Sequence, residues 1–135
     1  SVIGPGIHTV AVVDGTEIPD PICAPNGAGA SVVEWYSYTP TISGSATITT
    51  DLLANVGVDT RLHIYTGVCG ALTCYANNDD VSGTNYLSEV TFNVLNGTTY
   101  YIDGMTQDLI LTYQKLLLLV YQLAGLEQMI LQLRQ

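Results

Sequence analysis

Basic residues are scarce in this chain. Its 135 residues include three Lys and Arg against twelve Asp and Glu, which gives a formal net charge of −9. Because nucleic acids and anionic membrane surfaces are bound through Lys and Arg, this balance argues against both as partners. Charged residues of either sign make up only 11% of the chain, well below the roughly 25% of an average soluble domain. The chain therefore does not have the composition of a charged disordered tail.

Long apolar runs and catalytic signatures are lacking too. The longest apolar run, Leu116–Tyr121, has six residues, whereas a transmembrane helix needs about 20, so we do not expect a membrane span. The two histidines, His8 and His63, are not placed in any local signature with a Ser or Cys nucleophile. We therefore expect no enzyme. The start at Ser1 has no initiator Met and no signal-peptide features, as expected of a mature exported chain or a trimmed one.

The composition changes near Gly104. Residues 1–104 are rich in Thr, Val, Gly, Asn and Tyr and hold Arg61 as their one Lys or Arg, whereas residues 105–135 are rich in Leu and Gln and carry no net charge. We predict two parts: a β-sandwich over residues 1–104 and an association helix over residues 105–135.

Alternation of apolar and polar residues indicates seven short strands in the first part. Val90, Phe92 and Val94, for example, share one face of a predicted strand, and Asn96-Gly97 after it is a hairpin-turn signal. The predicted strands are Ile7–Val13, Ser31–Thr39, Ser45–Asp51, Thr60–Thr66, Ala71–Ala76, Ser88–Leu95 and Thr98–Ile102. Seven strands at this spacing predict an all-β fold, an antiparallel sandwich of the jelly-roll kind.

Leucines repeat every seven residues in the last part, which predicts one long amphipathic α-helix. The apolar stripe is wider than a dimer seam, so the helix has to pack against its own domain, against copies of itself or against another protein. We favour copies of itself. The residues expected to mediate assembly are Leu109, Tyr113, Leu116, Leu119, Val120, Leu123, Leu126, Ile130 and Leu133.

Several motifs occur in a recognisable order. They are Trp35-Tyr36-Ser37-Tyr38, then DTRLHIYTGVCGALTCYANNDD at Asp59–Asp80, then SEVTFNVLNGTTYYI at Ser88–Ile102. Over roughly residues 7–102 the chain resembles the bacterial pre-peptidase C-terminal domain family, as found in secreted surface proteins of Bacteroidetes-type bacteria. The resemblance implies an exported, eight-stranded, jelly-roll-like accessory domain without catalysis, of a kind that in some cases binds collagen or polysaccharide.

The chain departs from the family pattern after Ile102-Asp103-Gly104, where a last strand would follow. Either that strand is missing or the helix replaces it. A missing strand would leave an open edge that a partner's strand could fill. A fused tail would also explain the junction.

Three cysteines are present. In an extracellular setting, Cys69 and Cys74 are expected to form a disulfide that closes a small loop between two strands. Cys23 would then be buried, or paired with another chain.

Carboxylates from two loops are the strongest candidate ligands for a metal. Asp59 precedes one strand and Asp79-Asp80 follow the next, so they are expected at one rim of the sandwich. Oxygen ligands from separate loops suit calcium. The competing interpretation is ordinary turn chemistry, in which Asp and Asn cap loops.

Exposed aromatic side chains could bind sugar rings or protein. We name Tyr65, Tyr75 and Tyr86 as the candidates and expect Trp35 in the core. The leading hypothesis is a secreted structural or adhesive block at the bacterial cell surface that forms a bundle or filament through its helix. The alternative is a calcium-dependent accessory module that binds carbohydrate or protein.

Overall fold

The computed structural model describes residues 1–9, 12–16, 23, 32–104 and 108–115. These residues form eight strands and one short 3₁₀ turn at Leu53–Asn55. The strands are β1 Gly6–Thr9, β2 Glu34–Tyr38, β3 Gly44–Thr49, β4 Leu62–Val68, β5 Ala71–Asn78, β6 Glu89–Val94, β7 Tyr100–Gly104 and β8 Asp108–Lys115. Each of the seven predicted strands overlaps an observed one, so the antiparallel β prediction is confirmed.

The strands form two antiparallel sheets. Sheet I has the order β1-β8-β3-β6, and sheet II has the order β2-β7-β4-β5. Apart from β4 and β5, which form a hairpin within sheet II, consecutive strands alternate between the sheets. This alternation is the arrangement of a jelly roll, in which two sheets pack face to face.

One apolar core lies between the sheets. Alternate residues of β4 and β6 supply it, as the sequence pattern predicted, with Leu62 and Ile64 fully buried and Phe92 5% exposed. The rest of the core cluster comes from both sheets and from Ile3: Tyr36, Tyr38, Ala46, Ile48, Val90, Val94, Tyr100, Ile102, Leu109 and Leu111. The Asn96-Gly97 turn is also as predicted: Thr98 N donates to the Leu95 carbonyl at 3.1 Å, and Gly97 adopts a φ of +76° that favours glycine.

The predicted C-terminal helix is wrong over residues 108–115, which form strand β8. This strand lies between β1 and β3, so its backbone groups have partners on both sides. Leu109 and Leu111 are both fully buried, a spacing of two that belongs to a strand and would place them on different faces of a helix. The only helical segment among the described residues is the 3₁₀ turn. Leucine has only a weak intrinsic preference for helix, and the pairing of this segment with β1 and β3 in sheet I outweighs that preference.

The last strand of the jelly roll is therefore present, and the expectation of a missing or replaced strand is wrong. Of the proposed assembly residues, Leu109 lies in the core of its own domain, and only the backbone of Tyr113 is described, paired with Ala46 of β3. The other seven, Leu116, Leu119, Val120, Leu123, Leu126, Ile130 and Leu133, lie outside the described residues. A search of the described residues for a helix long and apolar enough to cross a membrane finds none.

Three interactions hold the connection between β1 and β2: one within the connection and two to the outer face of sheet II. Val33 N donates to the Gly15 carbonyl at 3.0 Å, Trp35 Nε1 donates to the Thr16 carbonyl at 2.9 Å, and Cys23 forms a disulfide with Cys74 of β5. Trp35 thus lies half-buried on this outer face rather than in the core, where we expected it.

Candidate functional site

The three predicted metal ligands come together at one rim of the sandwich. Asp59, Asp79 and Asp80 each place one carboxylate oxygen within 4.8 Å of the others. The cause is the pairing of Leu62 with Asn78 across the hairpin, which puts the residues before β4 and those after β5 at the same end of sheet II. We call Asp59, Asp79 and Asp80 the acidic rim.

Arg61 is an unpredicted member of this site. Its Nε donates to Asp79 Oδ1 at 2.9 Å, and the two side chains are 21% and 15% exposed. Arg61 is the only Lys or Arg of residues 1–104, and it neutralises part of the charge of the acidic rim. Three carboxylates and one guanidinium leave a local charge of −2, which is a charge that a divalent cation would balance.

A buried hydroxyl network holds the loops beneath the acidic rim. Thr50 follows β3, Thr60 precedes β4 and Ser88 precedes β6, and all three are fully buried. The Thr50 and Thr60 hydroxyls lie 2.7 Å apart, and Ser88 Oγ lies 2.7 Å from the carbonyl oxygens of both Thr60 and Asp79. Because Thr60 adjoins Asp59, this network fixes the backbone of both loops that carry the carboxylates.

A hollow of about 340 Å³ opens beside the acidic rim. The residues that line it come from the loops after β3 and before β6: Asp51, Val56, Gly57, Val58, Thr84, Asn85, Tyr86 and Leu87. Val58 directly precedes Asp59, and the Tyr86 carbonyl accepts a hydrogen bond from Thr60 N at 2.9 Å. Tyr86 is 54% exposed and Val56 70% exposed, so the hollow offers an aromatic ring and an aliphatic surface to solvent.

Tyr86 is the only one of the three predicted ligand-binding tyrosines that lies at this site. Tyr65 is 1% exposed and its ring is 5.7 Å from that of Trp35, so its proposed role as a surface ligand-binding residue is wrong. Tyr75 is partly exposed, but its hydroxyl donates to the Asn93 carbonyl at 3.0 Å and its ring packs on Phe92 and Tyr100. Tyr75 therefore joins β5 to β6, and its contacts are structural.

The predicted disulfide between Cys69 and Cys74 is wrong, because Cys74 pairs with Cys23 and Cys69 is free and exposed. Val68 pairs with Ala71, so Cys69 and Gly70 form the turn between β4 and β5, while Cys74 pairs with Tyr65. Three strand positions separate the turn from Cys74, about 10 Å, whereas a disulfide needs Cα atoms within about 7 Å.

The observed bridge spans 51 residues. On the chain-entropy model, a loop of that length contributes about 4 kcal/mol to stability. It also fastens the β1–β2 connection to sheet II through a covalent bond, which the predicted local loop would not have done.

His63 and Asp103 form a buried pair on the outer face of sheet II. His63 Nδ1 lies 2.8 Å from Asp103 Oδ1, and both side chains are 1% exposed. A His–carboxylate pair is the arrangement that orients a general base in hydrolases, yet at this burial a substrate cannot reach either ring nitrogen. We assign the pair a structural role.

A second hollow, of about 420 Å³, lies on the same outer face. Its lining residues are Ser1, Thr16, Trp35, Tyr36, Ser37, Cys69, Gly70, Leu72 and Tyr101. The acidic rim lies where β4 begins, whereas this hollow includes the β4–β5 turn at the opposite rim. The predicted metal ligands therefore lie near the first hollow together with Tyr86, and not near the second.

Comparison with known proteins leaves the family open. A scan against protein-family models finds no match for this chain, and a search of curated proteins finds no similar sequence. The resemblance to the pre-peptidase C-terminal domains stays a prediction.

Proposed function

We propose that this chain is a non-catalytic extracellular accessory module that binds calcium at the acidic rim and a glycan or protein beside it. The observation that carries the proposal is the convergence of Asp59, Asp79 and Asp80 within 4.8 Å. Carboxylates from separate loops are typical ligands for calcium, which takes six to eight oxygens at roughly 2.3–2.6 Å. Backbone carbonyls and water would supply the oxygens that the carboxylates do not.

The Cys23–Cys74 bridge supports an extracellular location. Disulfides form and persist in secreted and periplasmic proteins and are rare in the cytosol. The low number of basic residues agrees with a partner that is neither nucleic acid nor anionic membrane.

The hollow beside the acidic rim supports the second half of the proposal. Tyr86 presents its ring, Val56 and Val58 present aliphatic surface, and Asn85 presents an amide whose Nδ2 donates to Asp51 Oδ2 at 3.2 Å. An aromatic ring next to amide and carboxylate groups suits a sugar, which has apolar faces and polar edges. Calcium would hold the two loops together and so shape the hollow.

Calcium titration with thermal unfolding tests the metal. Calcium that binds only the folded chain stabilises it by about 2.7 kcal/mol when its concentration is 100 times Kd. We expect calcium to raise Tm for the natural chain and for Asp51→Asn, a matched change on the same hollow, but not for Asp59→Asn or Asp80→Asn. An unchanged Tm for the natural chain, in calcium and in chelator alike, would contradict the proposal.

Glycan-array binding tests the ligand. Tyr86→Ala should abolish binding that depends on calcium, because it removes the exposed ring from the hollow. Tyr101→Ala changes a tyrosine of the other hollow and should leave that binding intact. The opposite result would place the ligand on the outer face of sheet II.

A structural block that self-assembles is the second candidate function. The helix that was expected to drive assembly is not available over residues 108–115. The specific observation in favour of self-assembly is instead strand β5, an eight-residue sheet edge without a charged residue. Sedimentation velocity of the full chain tests this candidate: species larger than a monomer are expected, and a monomer at all concentrations would end it.

A further inference from the structure

The two sheets expose four edge strands: β1 and β6 in sheet I, and β2 and β5 in sheet II. An edge strand carries unpaired N–H and C=O groups that can pair with another chain, and proteins usually protect such edges. The four edges of this sandwich differ in how far the described residues protect them.

Three of the four edges are short or capped. Strand β1 has four residues. Along β2, Ile3 N donates to the Ser37 carbonyl at 2.9 Å and Ser37 N donates to the Ser1 carbonyl at 2.8 Å, so the first residues of the chain cover that edge.

Side chains of β5 cap strand β6. Glu89 N donates to Asn78 Oδ1 at 2.9 Å, and the Asn93 carbonyl accepts from the Tyr75 hydroxyl at 3.0 Å. Both ends of the β6 edge thus have their backbone groups satisfied within the molecule.

Strand β5 has no hydrogen-bonded backbone cap on its outer side among the described residues, although Tyr75 forms a bulge in it and Cys74 bonds to Cys23 on the outer face of the sheet. It shares with β8 the greatest length of the eight strands, eight residues, and its sequence ALTCYANN has no charge and no proline. Side chains on both of its faces are exposed, Thr73 and Asn77 among them. Its neighbour on the inner side is β4, and no described strand pairs with its outer side.

We propose that β5 is a strand-addition site for the β5 strand of a second copy of this chain, paired antiparallel. We infer the occupant of this site from the distribution of charge in the chain. A chain of net charge −9 repels its own copies over most of its surface, whereas two β5 edges meet without a charge between them. This inference rests on the second candidate function and identifies the surface that would carry it.

The antiparallel direction follows from the acidic rim. Asp79 and Asp80 directly follow β5, so a parallel pair would bring four carboxylates together at one end. In an antiparallel pair, these carboxylates lie next to the uncharged turn Cys69-Gly70 of the partner. The contact has twofold symmetry, so it closes as a dimer that joins two sheets II into one eight-stranded sheet.

Charge substitutions of both signs at Thr73 test the site in the full chain. Lysine and glutamate at an edge both oppose strand addition, because either charge would be desolvated in the joined sheet. We expect Thr73→Lys and Thr73→Glu each to weaken association about tenfold or more in sedimentation equilibrium. If general charge repulsion alone controlled association, Thr73→Lys would strengthen it, because lysine lowers the net negative charge of the chain.

Matched controls are Thr9→Lys and Thr9→Glu, which place the same charges at an exposed position of the short edge β1. These variants should associate like the natural chain. Circular dichroism and Tm confirm that each variant is folded. Assembly that persists unchanged in both Thr73 variants would overturn the β5 site while leaving self-assembly intact, whereas a natural chain that is monomeric at all concentrations overturns both.

Hydrogen exchange locates the contact independently of mutation. Backbone amides of Ala71–Asn78 that are exposed in the monomer should exchange more slowly as protein concentration rises, and amides of β1 should not change. Protection of β5 that is complete and independent of concentration would mean that another segment of the same chain already occupies this edge, which would overturn the proposal.

Discussion

Two ionisable side chains are buried where a sandwich of this size has little room for charge. His63 and Asp103 lie on neighbouring strands, β4 and β7, in direct register, with both side chains 1% exposed. A buried pair of this kind contributes little net stability, but loss of one partner leaves the other without compensation.

We therefore expect Asp103→Ala to lower the free energy of unfolding by about 3–5 kcal/mol, measured by urea denaturation. Asp14→Ala, an exposed aspartate, is the control and should change it by no more than about 0.5 kcal/mol. Equal effects of the two substitutions would show that the pair is not buried as described.

The cysteines show which residue-level features the sequence could predict. A disulfide was expected and one is present, but its partners were assigned from proximity in sequence. Gly70, with a φ of +87°, closes a two-residue turn that separates Cys69 from Cys74 along the hairpin. Counting the strand register outward from that turn would have excluded the bridge, whereas the approach of Cys23 to β5 depends on contacts 51 residues apart in sequence.

At the level of elements, strand prediction succeeded where alternation was strict. Strand β6 alternates exposed and buried residues along its whole length, as its sequence predicts. The prediction failed for strand β8 because Leu109, Ile110 and Leu111 form a continuous apolar run, which periodicity alone cannot assign to a helix or a strand. The leucine-rich residues that follow extended a helical pattern across the boundary.

Substitution of Leu109 and Leu111 tests the strand assignment. Both are fully buried, so Leu109→Ala and Leu111→Ala should each cost about 2–5 kcal/mol in urea denaturation. Leu53→Ala is a matched control because Leu53 is 91% exposed. If only one of the two leucines proved sensitive, the residues would be on opposite faces, as in a helix.

The position of the acidic rim could be predicted from the order of the strands. Asp59 was expected before one strand and Asp79-Asp80 after the next, and an antiparallel hairpin brings such positions to one end whatever its exact register. Arg61 was missed because it lies on the strand face opposite Leu62, where the sequence pattern predicted only a solvated side chain. No sequence signal marked its ion pair with Asp79.

At the scale of the whole molecule, charge is strongly one-sided. Residues 1–104 carry ten carboxylates and one guanidinium, and like charges on a compact surface destabilise the folded state. Salt screens such repulsion, with the Debye length falling from about 30 Å at 0.01 M to about 8 Å at 0.15 M.

We therefore expect Tm to rise by a few degrees over that range of sodium chloride, measured by calorimetry in calcium-free buffer with chelator. Potassium chloride should give the same increase, since screening depends on ionic strength alone. A fall in Tm would show that attraction, such as that between Arg61 and Asp79, outweighs repulsion.

The direction of the last strand has a consequence for how the module would be displayed. The chain leaves β8 at Lys115, which pairs with Gly44 at the start of β3, whereas the network beneath the acidic rim begins at Thr50, after the end of β3. Lys115 therefore lies at the end of the sandwich opposite the acidic rim, and a segment attached after it would hold the module from that end. The carboxylates and Tyr86 would then face outward at the far tip, about 20 Å from the attachment, where a neighbouring surface would meet them first.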